Sequence, residues 1–163
     1  MTRVYLSIGS NIDREANLRS CVRQIKENFQ PLTLSSVYQT RAIGFEGNDF
    51  YNMAIGFDST LKVETIHAIL RKIEDAHGRR RGVDKLRPRP LDIDLLLFGD
   101  LVCHGDNLDI PREEIVRYAY VLLPLSEIAA KLTHPETEQA IGEMWRAFDA
   151  GSQPIKKIGF KFE

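Results

Sequence analysis

Two cysteines, Cys21 and Cys103, are all that the chain holds, and their spacing makes no thiolate metal site. Cys21 falls inside a helical pattern and is expected to pack as a small apolar side chain. The four histidines (His67, His77, His104 and His134) show no ligand spacing either. Nowhere does a G-x-x-x-x-G-K-[ST] run or a kinase-type glycine-rich loop occur, which excludes the P-loop and protein-kinase modes of holding ATP. Charge of one sign is not in excess: the formal net charge is −1, so the composition is not that of a protein that coats nucleic acid. No apolar run approaches membrane-spanning length, and the start enters Val4, Leu6 and Ile8 without a signal-type apolar region. A cytoplasmic protein without a membrane partner is the expectation. Internal repeats, low-complexity stretches and domain boundaries are also missing, so residues 1–163 are expected to form one domain.

What is present is a sequence of alternating and helical patterns. Residues 3–8 alternate and predict a first strand, ended by the turn residues Gly9, Ser10 and Asn11. Asn11 or Asp13 is placed to cap a helix over 13–28, whose apolar stripe is Leu18, Cys21, Val22, Ile25 and Phe29. Residues 32–40 predict a second strand, 41–49 a loop with Gly44 and Gly47, and 50–58 a third strand. Thr60 is placed to cap a second helix, which runs to about residue 77 and stops at Gly78. Residues 91–98 predict a fourth strand. The order βαββαβ is that of a ferredoxin-like α+β fold, with helices on one face of an antiparallel sheet.

Beyond it, 101–103 predicts a short strand, 118–130 a largely helical stretch interrupted at Pro124, 141–148 a helix with Trp145, and 155–162 an edge strand. These C-terminal additions are expected to put helices on both faces of the sheet.

Three features carry chemistry. Asp92 and Asp94 lie two residues apart within an apolar run, so a strand puts both on one face and Leu91, Ile93 and Leu95 on the other. Their backbones then stand roughly 6.6 Å apart, from which carboxylates converge on a hard cation such as Mg²⁺. For a bare D-x-D, a salt-bridged or edge-strand pair facing water is the commoner explanation. The second feature is the basic loop 79–90, with Arg79, Arg80, Arg81, Lys85, Arg87 and Arg89, which ends beside the aspartates. Alone it reads as a solvated basic loop or a nucleic-acid patch; joined to D-x-D it suits a polyphosphate with metal at its reacting end. The third is Phe50 with Asn52 on one strand face, an aromatic wall and an amide that suit a flat heterocycle, or else a buried ring with a satisfied amide.

Together these residues resemble the hydroxymethyl-dihydropterin pyrophosphokinase family of folate biosynthesis. The likeness runs almost end to end: residues 5–11 (YLSIGSN), 50–54 (FYNMA), Ile73-Glu74 with Gly78-Arg79, 88–99 (PRPLDIDLLLFG) and 124–129 (PLSEIA). The P-R-x-x-D-[LI]-D-[LIM] core is the most specific of them.

The resemblance implies transfer of pyrophosphate from ATP to a pterin alcohol, with two Mg²⁺ ions on Asp92 and Asp94. It implies Asn52 on the pterin ring, Phe50 and Tyr120 stacked on its faces, and backbone groups at Thr40 and Ile43 completing that pocket. Arg79, Arg81 and Arg89 match basic positions near the nucleotide, Glu74 an acidic one, and Ile93 and Arg112 lie with them; 79–87 matches a mobile lid. Small-molecule pterin and ATP are the implied partners, for a monomer with no nucleic acid. The chain departs from the family's pattern at Arg87 (Gly or Ala), Arg112 (His), Tyr118 (Arg, with Arg117 adjacent), Tyr120 (Phe) and Arg41 (Pro). A diverged paralogue that binds a pterin or nucleotide with altered substrate or no turnover is therefore an alternative, and an RNA-binding ferredoxin-like module ranks last, since no RNP-like aromatic pair is present.

Overall fold

A computed structural model describes residues 1–42, 47–78 and 90–162. Its main sheet is built from β1 (Thr2–Ser10), β3 (Val37–Thr40), β4 (Phe50–Ser59), β5 (Asp92–Phe98) and β8 (Ile155–Ile158), in the spatial order β5-β1-β4-β3-β8. A short β2 (Thr33–Leu34) pairs with β4 beside β3. Helices α1 (Arg14–Asn28) and α2 (Val63–Ala76) connect the first strands, so the predicted βαββαβ order and ferredoxin-like sheet are observed.

Strand alternation sorts the apolar residues onto two faces. Val4, Leu6 and Ile8 of β1 join Met53, Ile55 and Phe57 of β4 and Leu91, Ile93 and Leu95 near β5. Against them pack Leu18, Val22 and Ile25 of α1 and Ile66, Leu70 and Ile73 of α2. On the other face, Tyr5, Leu96 and Leu97 meet Val121, Leu122 and Leu125 of α4 (Ala119–Ala129) and Ile141 and Met144 of α5 (Ile141–Ala147). Helices therefore do cover both faces. A register shift between Tyr5 and Leu6 inserts one extra residue in β5, which turns both Leu96 and Leu97 into the second core.

Several local expectations are corrected. Gly9 and Ser10 do not end β1 but belong to it, paired with Asn52 and Tyr51, because β4 on one side and β5 on the other continue the ladder. Asp13 occupies the cap position of α1 in a left-handed conformation with φ 43°, and its side chain makes no cap bond. Thr60 does not cap α2, which begins at Val63; the Ser59 hydroxyl instead accepts the Leu61 N–H at 3.1 Å.

The strand expected over 32–40 is broken at Ser35 and Ser36 by a one-residue bulge: Leu34 faces Ile55, whereas Tyr38 faces Asn52. The Ser35 hydroxyl fills the gap in the ladder, accepting the Ala54 N–H at 2.8 Å. Pro124 does not interrupt α4. The backbone bond its ring removes is offset by burial of Val121, Leu122 and Leu125 around it. The short strand expected at 101–103 forms one residue pair later, as β6 (Cys103–His104) against β7 (Asp109–Ile110). Of the tail, only 155–158 pairs as β8, against β3.

Candidate active site

Antiparallel pairing brings four strand ends to one end of the sheet. The C-terminal end of β1 lies between the N-terminal ends of β4 and β5, and the end of β3 follows β4. Asp92 pairs with Gly9, Gly9 with Asn52, and Asn52 with Tyr38; Asp94 pairs with Ser7. Residues directly opposite in a sheet share a face, so both aspartates, Asn52 and Phe50 look toward the side that α4 partly covers. At about 4.8 Å per strand, Asp92 and Asn52 are about 10 Å apart across Gly9.

Gly9 is what keeps that interval open. A Cβ there would stand 3.1 Å from the Asn52 Oδ1 and 3.7 Å from the Phe50 ring. Ser10, fully buried, donates its hydroxyl to the Pro90 carbonyl at 2.5 Å and ties the approach of the D-x-D segment to β1. Sequence reasoning took both residues for a turn. Their role shows only when β1 is seen flanked on both sides.

The carboxylate pair is electrostatically strained. Burial, and next the neighbouring Asp92 charge, push the Asp94 carboxyl up to about 7, against the pull of Arg112. Arg112 Nη2 lies 3.7 Å from Asp94 Oδ1, and its guanidinium is bonded to Glu114 through Nε at 2.9 Å and through Nη2. Burial works to lower the Arg112 pKa, but Asp94 and then Glu114 overcome it and raise the value. Behind the pair, the buried Glu74 of α2 accepts the Ile93 N–H at 2.8 Å. β5 is an edge of the sheet, so this N–H has no strand partner and Glu74 takes its place, fixing the backbone between the two aspartates.

Among the described residues no group of three His, Cys, Asp or Glu is arranged to hold a metal. Two adjacent carboxylates with excess negative charge suit a hard divalent ion that draws its other ligands from phosphate and water. The residues present fit that kind of ion.

On the far side of Gly9, the Asn52 amide, 3 % exposed, donates to the Thr40 hydroxyl at 2.7 Å. Its Oδ1 lies over Gly9, and the amide keeps a second N–H beyond the one given to Thr40. Phe50 is half-buried at the start of β4. Tyr120, in the first turn of α4, is also half-buried, its ring 5.1 Å from that of Tyr118. Burial, and next the charge of Asp94, raise the Tyr120 phenol pKa.

Thr40, Phe50, Asn52, Glu74, Asp92, Ile93, Asp94, Arg112 and Tyr120 thus gather at one end of the sheet. Ile43, Arg79, Arg81, Arg87 and Arg89 lie outside the described residues. Sequence reasoning missed Gly9, Ser10 and Glu114, and also a cleft around the outer edge of β5. Leu70, Arg71 and Glu74 of α2, Asp94, Leu108 and Arg112 line it. A hint lay in Leu108-Asp109-Ile110, an apolar-acidic run after a turn, but nothing local says that it folds back against α2.

The chain is similar to known proteins over most of its length. Residues 5–130 match the family model described as 7,8-dihydro-6-hydroxymethylpterin-pyrophosphokinase. A Bacillus subtilis 2-amino-4-hydroxy-6-hydroxymethyldihydropteridine pyrophosphokinase is 32% identical over 150 residues, covering 87% of this chain and 89% of the relative. An Aquifex aeolicus protein of the same name is 31% identical over 137 residues, covering 83% and 85%. Among solved structures, a Plasmodium falciparum HPPK-DHPS chain crystallised with pteroate superposes with a TM-score of 0.71 at 14% identity. That match covers 90% of this chain and 42% of the longer one, and at such identity it speaks for the fold.

Proposed function

The chain belongs to the 7,8-dihydro-6-hydroxymethylpterin-pyrophosphokinase family, and we propose how its residues divide the work of that reaction. It is an ATP-dependent pyrophosphokinase of folate biosynthesis, which moves the terminal diphosphate of ATP onto the hydroxymethyl group of the dihydropterin and releases AMP. The alcohol oxygen attacks the β-phosphorus as the bond from that phosphorus to the α-bridging oxygen breaks; AMP leaves with the bonding pair and the alcohol proton goes to solvent. One observation carries the assignment of roles: the Asp92/Asp94 pair and the Asn52 edge face the same space across Gly9.

Asp92 and Asp94 hold divalent cations, two Mg²⁺ in the fullest form of this reading. When bound, such ions neutralise phosphate oxygens and align the attacking and leaving groups. Glu74 sets the backbone from which both aspartates project, through the Ile93 N–H. The cleft beside β5 takes the nucleotide, its base against Leu70 and Leu108 and its phosphates toward Asp94 and Arg112. Arg112 offers N–H donors to those oxygens, and Arg79, Arg81 and Arg89 add positive charge from the adjoining segment. Asn52, held by Thr40, reads the edge of the pterin, which stacks on Phe50 and Tyr120, with Ile43 at its rim. Most of the rate comes from alignment and charge neutralisation rather than from proton transfer by the protein. Residues 1–163 act as one domain, and as a monomer.

The test is direct. Incubation with Mg²⁺, ATP and hydroxymethyl-dihydropterin should produce AMP and pterin pyrophosphate in equal amounts. Asp92→Asn and Asp94→Asn should each lower kcat by about 10²–10³-fold, the usual cost of removing one electrostatic group from a transition state. No AMP at any Mg²⁺ concentration, or full activity in both variants, would overturn the assignment.

A further inference from the structure

The bonds from Arg112 to Glu114 have no part in the reaction as derived. The Arg112 backbone is anchored to β5, its N–H donating to the Leu96 carbonyl at 3.2 Å, two residues beyond Asp94. The guanidinium is thereby tethered beside the acidic pair. It does not close on it. The 3.7 Å to Asp94 Oδ1 is a charge contact, outside hydrogen-bond range. Two of its N–H groups go to one oxygen of Glu114, at the start of α3 (Glu114–Arg117), and three of its five remain for other acceptors. All three side chains are largely withdrawn from solvent, at 22%, 23% and 29% exposure for Arg112, Glu114 and Asp94.

The energetics of a buried carboxylate favour another arrangement. A guanidinium free to move would lay its planar fork on Asp94, forming the stronger two-bond pair. That pair would occupy the lone pairs a divalent ion needs. Holding Arg112 back therefore has a consequence for cation binding.

We propose that Glu114 is a positioning residue that restrains Arg112 from closing on Asp94, so that the Asp94 oxygens stay open to a divalent cation. This rests on the reading that Asp92 and Asp94 bind that cation. It is specific to a chain with arginine at 112. Glu114 touches neither the ion nor the substrate; it acts through Arg112.

The experiment measures Mn²⁺ binding to the full chain without nucleotide, from the loss of the free-ion electron paramagnetic resonance signal, so turnover plays no part. Glu114→Ala should bind Mn²⁺ about tenfold more weakly, the lower end of what outer-shell partners of metal ligands contribute. The decisive comparison is the same change in an Arg112→Met background, where no guanidinium remains to collapse and the loss should shrink to less than about twofold, a non-additive cycle. Glu114→Gln, neutral but still able to accept from Arg112, should fall between wild type and Glu114→Ala. It also serves if the alanine variant folds poorly.

An unchanged affinity in Glu114→Ala overturns the proposal. So does an equal loss with and without Arg112, which would make Glu114 a nearby negative charge and nothing more. Asp94→Asn separates this from the underlying reading. If it abolishes Mn²⁺ binding while the cycle is additive, only the restraint fails; if it binds as wild type does, the cation assignment itself falls.

Discussion

Asp94 is where folding and function pull hardest against each other. Its carboxyl is pushed up to about 7 in the fold, against an ordinary value of 3.8, so between those pH values the native chain holds a proton that the unfolded chain has released. By linkage, metal-free stability falls as pH rises through that window and recovers as pH drops below it. Asp94→Asn removes the charge, so without metal it should be more stable than wild type at pH 8, by about 2 kcal/mol once solvent screening of a partly exposed group is allowed for. The gain should vanish near pH 4. Urea titrations at the two pH values, without divalent ions, measure both, and a variant less stable at pH 8 would show that Asp94 is not strained. Mg²⁺ should stabilise wild type at pH 8 and leave Asp94→Asn nearly unmoved.

Gly9 makes a second residue-level case. Alanine there places a methyl 3.1 Å from the Asn52 Oδ1 and must displace the amide or the strand. The expected result is roughly a tenfold rise in KM for the pterin, about the worth of one hydrogen bond to a well-placed group, with KM for ATP little changed. A rise in both, or in ATP alone, would count against the Asn52 edge as the pterin contact. The D-x-D pair could be read from the chain alone because period two is a local rule. The need for glycine at 9 could not, because it depends on Asn52, which lies 43 positions away and is brought opposite only by strand pairing.

Among the elements, α4 has the most to do. It covers the second face of the sheet and presents Tyr120, and it is tied to the β2–β3 bulge by one carboxylate. Glu127 accepts the Ser36 N–H and hydroxyl at 2.6 Å each and the Tyr38 hydroxyl at 3.3 Å, with Lys157 of β8 at 3.7 Å. Burial would raise the Glu127 pKa, but the bonds from Ser36, and then Lys157, outweigh it and hold the value below the ordinary one. A depressed carboxyl contributes stability that is present above its unfolded pKa near 4.5 and lost as pH falls through the lower folded value. Glu127→Ala should therefore cost about 0.5–1.5 kcal/mol at pH 7, from the lost charged acceptor at a solvent-accessible site, and much less near pH 3. Equal loss at both pH values would mean that packing, not the charged acceptor, matters here. The helical pattern of α4 was legible, and so was Glu127 within PLSEIA. Its partners were not, since a bulge is a mismatch between two strands and has no signature in one of them.

The whole molecule is a sheet with two cores, and the two differ in what they support. Ile66 of α2 is wholly buried in the core shared with α1, while Leu122 of α4 is 1% exposed in the second core. Alanine at either should cost about 2–5 kcal/mol, from lost burial and the cavity left behind. Ile66→Ala should leave the Michaelis constants near wild type at temperatures where it is folded. Leu122→Ala should raise KM for the pterin several-fold, because α4 carries Tyr120. Denaturation midpoints and steady-state kinetics on the two proteins decide it, and indistinguishable kinetics would count against α4 as a wall of the pterin site.

Alternation and helical spacing were enough to establish the ferredoxin-like order, the common face of Asp92 and Asp94, and the split of leucines around them. These are properties of neighbours along the chain, set by backbone geometry that repeats every two or 3.6 residues. Where β1 ends, which residue is extra in β5, what neutralises Arg112 and what stands between the carboxylates and Asn52 were settled by contacts between distant segments. Such contacts follow from register and from the packing of helices on opposite faces. That is why Gly9 and Glu114, each unremarked in its own stretch of sequence, come to stand beside the two aspartates.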